Sequence, residues 1–212
     1  MSKYITHKTL VYFFLISGSI AVLMPFFWMV STSLKKLSHV FRFPPEFIPD
    51  PIVWSNYPNA LSQLPFGLYF KNSILVTGGC LLGELIVSAI VAYSFARLRW
   101  KGRDFLFIIV LSTMMLPRQV TLIPEFIIFK ELGLLDTFWP LILPSWFGNP
   151  FYIFLMRQYF LTISSELDDA AIIDGCSKFG VFWRVILPLS TPVLAVVAIF
   201  SFQYNWNDFF RP

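Results

Sequence analysis

An all-α membrane protein, built as a polytopic helical bundle, is the fold class this sequence predicts, and three observations predict it. Of the 212 residues, 57% are hydrophobic and only 13% are charged, at a mean hydropathy of +0.69; a soluble domain carries about a quarter charged residues. Five apolar runs recur, each close to the ~20 residues a helix needs to cross the hydrocarbon layer. The cations behind the formal charge of +4 cluster between those runs instead of forming an aromatic-interleaved stripe. That pattern reads as membrane topology and not as a nucleic-acid surface.

Residues 10–30 carry no charge and suffice for roughly 30 Å of helix. Lys3 and Lys8 precede them as in a secretory signal, but the run is too long for one and no small-residue cleavage site follows, so it is read as a retained first span. Residues 31–71 are polar and proline-rich, the prolines argue against a third of this loop being helix, and Trp54, Tyr57, Phe66 and Tyr69 suit headgroup depth. The second span, 73–96, is interrupted by Glu84 and ends in Arg97, Arg99, Lys101 and Arg103, which mark that turn as cytoplasmic. The third, 105–124, is broken toward its outer end by Pro117, Arg118 and Gln119. The fourth, 137–156, contains Pro140, Pro144 and Pro150, and Arg157 marks its cytoplasmic end. The fifth is 185–207. From a cytoplasmic N-terminus, five spans leave residue 212 outside, which suggests a missing sixth span. One membrane domain, 1–212, is expected. Cys80 and Cys176 are placed too differently to suggest a disulfide, and with two distant histidines they make no metal set.

Between the fourth and fifth spans lies a polar stretch, 161–188, that reads as a helix–turn–helix elbow. Ser165 can cap a helix whose first turn holds Glu166, Asp168 and Asp169, where carboxylates suit the helix dipole. Asp168 stands at a rough capping-box spacing from Ser165. Ala170, Ala171, Ile172 and Ile173 carry the helix to Gly175, which can end it. A second piece, 177–187, puts Phe179, Phe182, Val185 and Ile186 on one side.

The elbow's spacing resembles a known pattern. Asp169-Ala170-Ala171, three residues, Gly175, nine residues, Val185, one residue and Leu187-Pro188 resemble the EAA loop of bacterial ABC-importer permeases, with Asp169 for the usual Glu and Val185 for Ile. Asn72-Ser73, Ala92-Tyr93-Ser94-Phe95-Ala96-Arg97, Gly133-Leu134-Leu135-Asp136-Thr137, Phe154-Leu155-Met156-Arg157-Gln158 and Trp206-Asn207-Asp208 are similar to the carbohydrate-uptake branch, in the manner of second permease subunits of maltose-type transporters.

The resemblance implies a non-enzymatic permease subunit of the bacterial inner membrane. Its partners would be a second permease subunit, two cytoplasmic ATPase subunits that bind ATP-Mg, an extracytoplasmic solute-binding protein and membrane lipid, with no cofactor in this chain. It places coupling to the ATPase on Glu166, Asp169, Ala170, Ala171, Asp174 and Gly175. Small Ala170 and Ala171 allow close packing, the acids offer charge-assisted bonds and Gly175 permits the bend. Phe179 and Phe182 would anchor the second piece to the permease itself.

For the transport pathway the candidates are Glu84, an acid in mid-membrane, and Arg118 and Gln119, where a broken helix can line a cavity. No phosphate-binding loop exists: Gly78-Gly79 with Gly83 lacks the lysine, so ATP hydrolysis belongs to another chain. Two alternatives remain. One is a membrane enzyme of the prenyltransferase type using Asp168, Asp169 and Asp174 to hold Mg²⁺, which lacks the second acidic cluster such sites need. The other is an ATP-independent secondary transporter.

Overall fold

A computed structural model describes residues 2–209, with the side chains of 7–117 and 119–209. The described residues are helical or irregular, without strands. The chain divides into two compact units, Met1–Leu68 and Tyr69–Pro212.

In the first unit, α1 (Ser2–Ser33) continues three residues past the expected end of the first span, and the side chains from His7 onward lie almost wholly exposed along it. The segment after it folds back on its end. Asn56 donates through Nδ2 to the carbonyls of Ser33 and Lys35, each at 2.9 Å, which satisfies helix-end acceptors that would otherwise be orphaned. Lys35 is buried with its ammonium 4.0 Å from the Trp28 ring centroid, and Trp28 meets Phe47 edge-on. A short helix, α2 (Asn56–Gln63), lies within this proline-rich stretch, with Pro58 in its first turn.

α3 (Phe66–Arg97) begins seven residues before the expected second span, so 66–71 are helix and not interfacial loop. The second unit packs on the small face of this helix. Ala89, Ala92 and Ala96 let neighbours approach closely, and with Tyr93 and Phe95 they meet Phe107, Tyr152, Ile153, Met156, Phe160, Phe182, Ile186, Val193 and Val197 in one core.

The third apolar run is α4 (Arg103–Ser112), a 3₁₀ turn (Thr113–Met115) and α5 (Arg118–Glu131). Pro117 drives Leu116 into extended backbone, ending the helix where the sequence places the break. The fourth run is not one rod. It consists of α6 (Trp139–Ile142), a 3₁₀ segment (Leu143–Phe147), a turn at Gly148 with φ +83°, and α7 (Pro150–Thr162). Pro140, Pro144 and Pro150 each fall in the first turn of their piece, where a missing N–H costs least, so the prolines start helices instead of kinking one. Asn149 caps α7, accepting from the Phe151 N–H at 2.9 Å. α7 also runs five residues past Arg157, whose guanidinium lies 4.2 Å from the Phe107 ring centroid, so Thr162 and not Arg157 ends the helix.

The elbow follows as α8 (Glu166–Ile173), α9 (Lys178–Val181), a π-helical turn (Phe182–Ile186) and α10 (Leu187–Leu189). The chain then turns 77° at Ser190 into α11 (Thr191–Trp206). Pro188 and Pro192 flank that bend and remove two N–H donors from it. The fifth run is thus bent near its start, and its straight part has only 16 residues, roughly 24 Å of rise. Among the described residues two helices, His7–Ser33 and Phe66–Arg97, are long and apolar enough to cross a membrane; counting each bent pair as one span gives up to four.

Candidate functional site

Local sequence shapes the elbow. The α8 start differs from the expected serine cap: Ser165 makes no side-chain cap bond, and Ser164 Oγ instead accepts from the Glu166 N–H at 3.3 Å. Asp168 is no partner in a capping box, because it turns inward. At the other end Gly175 adopts φ +84°; its N–H donates to the Ile172 carbonyl at 3.0 Å, and the Cys176 N–H to Ala171 at 2.9 Å. These two bonds form a Schellman cap, which needs the left-handed residue that glycine supplies. Ser177 then caps α9 by accepting from the Gly180 N–H at 3.1 Å.

The two faces of α8 differ. Asp168 and Ala171, three residues apart, point into the protein, where Ala171 joins the core margin. Glu166, Leu167, Asp169, Ala170, Ile172, Ile173 and Asp174 are exposed, Ile173 by 85%. An acidic and apolar face therefore stands open, with Ala170 and not Ala171 as its small residue. On the second piece Phe182 is buried against Tyr93, with ring centroids 5.1 Å apart, while Phe179 is 63% exposed; Phe182 anchors the piece together with buried Val181 and Ile186, and Phe179 does not. Nothing in the structure lies within 4 Å of a Cβ built at Gly175.

Behind α8 is a polar hollow of about 890 Å³ lined by Tyr93, Arg97, Arg99, Arg103, Asp168 and Lys178 among others. Arg97 Nη1 stands 3.5 Å from Asp168 Oδ2, and its Nη2 donates to the carbonyls of Phe160 at 2.7 Å and Ile163 at 2.6 Å. Burial raises the Asp168 carboxyl above its ordinary value, Arg97 pulls it down and Asp169 pushes it further up. Sequence reading missed the parts of Arg97, Asp168 and Tyr93, since Arg97 looked like one of four topology charges. The i, i+4 spacing of Tyr93 and Arg97 was the available signal.

A second cavity, of about 710 Å³, lies where α5, α7 and α11 meet, at the end of α7 away from the elbow. Gln119, Gln203 and Asn207 supply amides to it, and Phe151, Tyr152 and Tyr204 supply rings. Gln119, singled out from sequence, lines it; the side chain of Arg118 lies outside the described residues. Glu84 does not line it. Its Oε2 accepts from Asn205 Nδ2 at 3.5 Å, and Asn205 also donates to the Ser201 carbonyl at 2.9 Å, so Glu84 sits 5% exposed in a polar contact between α3 and α11. Cys80 and Cys176 form no disulfide, Cys80 Sγ donating to the Leu141 carbonyl at 3.3 Å, and among the described residues no three His, Cys, Asp or Glu side chains converge as a metal would need.

The chain resembles known transport proteins across nearly its whole length. It is 38% identical over 212 residues to a probable ABC transporter permease protein of Bacillus subtilis, covering 98% of this chain and 69% of that protein. A diacetylchitobiose uptake system permease of Streptomyces coelicolor is 33% identical, over 93% of this chain and 66% of its own length. An sn-glycerol-3-phosphate transport system permease of Yersinia pestis is 33% identical, over 93% and 72%. Among solved structures, a bacterial ABC transporter involved in import of the acidic polysaccharide alginate contains a chain that superposes with a TM-score of 0.83 at 29% identity, covering 95% of this chain and 71% of that one. Residues 84–211, more than half of the sequence and including the whole elbow, match the family described as binding-protein-dependent transport system inner membrane component. The all-α, membrane-embedded and non-enzymatic character expected from sequence accords with that match, and the chain belongs to this family of transport permeases.

Proposed function

We propose that this chain is a permease subunit of an ATP-driven importer and that α8 is the element through which a separate ATPase drives it. The observation that carries this reading is the open face of α8: Glu166, Asp169, Ala170 and Asp174 lie exposed beside Ile172 and Ile173 on a helix fixed at both ends. Apolar area left bare beside carboxylates suits a cationic and apolar cleft, where charge-assisted bonds and burial act together. A capped helix bonded to the protein behind it moves as a body when pushed. The importer reading assigns ATP-Mg to two cytoplasmic ATPase subunits. It also assigns half of the pathway to a second permease subunit, solute delivery to an extracytoplasmic binding protein, and the chain itself to the bacterial inner membrane with α1 starting in the cytoplasm. The spans are proposed near 10–30, 73–96, 105–124, 137–156 and 185–207, within one permease domain.

For the solute, we infer a carbohydrate or related polyol. The cavity where α5, α7 and α11 meet offers aromatic faces from Phe151, Tyr152 and Tyr204 beside the amides of Gln119, Gln203 and Asn207, the combination that suits stacked C–H faces and hydroxyl networks. The named relatives that carry diacetylchitobiose, sn-glycerol-3-phosphate and alginate are hydroxyl-rich in their solutes, which accords with this class.

Gly175→Asp tests the coupling reading. Asp adds bulk and charge to the open face and strains a left-handed position by about 1–2 kcal/mol. The expected result is normal membrane insertion with energised uptake reduced at least about tenfold. Wild-type uptake together with normal ATPase association would overturn it.

A further inference from the structure

The turn after α3 carries four cations, and topology accounts for their charge without accounting for where one of them goes. Arg99 and Lys101 are exposed, and Arg103 bonds Asp104 next to it at 2.9 Å. Arg97 is different: its side chain is only 9% exposed and is held by three groups from beyond its own helix. Two are the terminal carbonyls of α7, at Phe160 and Ile163, where the helix dipole leaves negative partial charge and the planar fork of a guanidinium can take both at once. The third is Asp168, on the inward face of α8. One turn earlier on α3, the Tyr93 hydroxyl donates to the Lys178 carbonyl at 2.9 Å, at the start of the elbow's second piece. Tyr93 and Arg97 thus grip the two halves of the elbow from a single helix face.

This contact does not gain its interest from stability. A buried ion pair loses hydration roughly as large as its attraction, and here burial outweighs Arg97 in its effect on Asp168. Asp168 Oδ1 and Arg97 Nε also have no hydrogen-bond partner among the described residues. What the pair supplies is orientation: it fixes the azimuth of α8 against the ends of two long helices.

We propose that Arg97 and Asp168 are positioning residues that clasp α8 to the ends of α3 and α7, so that a push on the elbow reaches both helices as one rigid displacement. The proposal rests on the coupling reading above and names how the motion leaves the elbow. α7 carries it toward Phe151 and Tyr152 in the cavity about ten residues away, roughly 15 Å along the helix.

The test uses the assembled transporter in nanodiscs, with an environment-sensitive fluorophore on Gln119→Cys in a background of Cys80→Ala and Cys176→Ala. The probe is ATP-Mg with vanadate, so no solute need be known. Arg97→Gln and Asp168→Asn are expected to leave ATPase co-purification and basal hydrolysis within about twofold of wild type, while the nucleotide-driven fluorescence change falls on the order of fivefold. Arg97→Lys keeps the charge and one carbonyl bond, and is expected to restore at least half of the signal. A full fluorescence change in both Arg97→Gln and Asp168→Asn would overturn the clasp. Loss of ATPase co-purification in step with the fluorescence change would also overturn it, reducing Arg97 to a structural residue. If instead Asp169→Cys, in a transporter with Arg97 and Asp168 intact, fails to crosslink to the ATPase, the coupling reading itself has failed, which separates the two outcomes.

Discussion

Asp168 and Gly175 stand seven residues apart in the elbow and meet opposite physical demands. The carboxyl of Asp168 is raised by burial, against the pull of Arg97. A folded-state value above the unfolded one means the folded elbow holds its proton more tightly. The stabilising contribution is therefore full below the ordinary carboxylate range and is lost as pH rises through the folded-state value. Hydrogen-exchange protection of amides 166–176, corrected for the intrinsic rate, is expected to increase on acidification through that window. Asp168→Asn should remove the trend, and a trend that survives the substitution would contradict this account of Asp168. Gly175 was legible in the sequence because a left-handed cap leaves a residue-type signature at a fixed distance from the helix it ends. Asp168 was not, because its partner lies 71 positions away and nothing local distinguishes an inward carboxylate from its outward neighbour Asp169. A third residue, Gly83, faces the Trp146 ring. A Cβ there would lie 2.6 Å from Trp146 Cδ1 and 2.8 Å from Cγ, close to the ring's attachment, where the indole cannot simply swing aside. Gly83→Ala should lower stability by about 1–3 kcal/mol, read as a fall in the thermal midpoint of the purified protein. Gly78→Ala, with nothing within 4 Å, should be neutral or stabilising by about 0.5–1 kcal/mol. Equal midpoints for the two would refute the packing claim.

At the scale of elements, hydropathy located every apolar run but could not say which were continuous. α3 is one helix of 32 residues, whereas the fourth run is three pieces and the fifth bends by 77°. The reason is that proline has two readings, kink or first-turn residue, and the choice between them depends on caps such as Asn149 and on turns such as Gly148. The break at Pro117 was legible because the residue before a proline is forced out of the helical region whatever surrounds it. The π-helical turn at Phe182–Ile186 was not, since it depends on burying Phe182 and Ile186 together on the core. Its place just before Pro188 puts a loosened hydrogen-bond ladder between the elbow and α11.

At the scale of the whole molecule, the proposed coupling and solute sites fall at opposite ends of α7. α8 and its hollow occupy one end of α7, and the amide- and aromatic-lined cavity occupies the other, so the helices between them are the path along which work would pass. Composition and charge sufficed to exclude a soluble domain and a nucleic-acid surface, and a 20-residue motif, Asp169 to Pro188, sufficed to point at the elbow. The packing that joins the elbow to α3 and α7 is tertiary and emerged only in three dimensions. The central claim is that α8 sits beneath the bilayer against a separate ATPase. The most direct measurement is site-specific crosslinking from Asp169→Cys, with Cys80 and Cys176 replaced by alanine, in inside-out membrane vesicles of the assembled transporter. The account predicts labelling by a membrane-impermeant thiol reagent from the cytoplasmic side and a crosslink to the ATPase subunit that changes with ATP-Mg. Labelling only from the exterior, or a crosslinkable Asp169→Cys that captures no ATPase subunit, would contradict it.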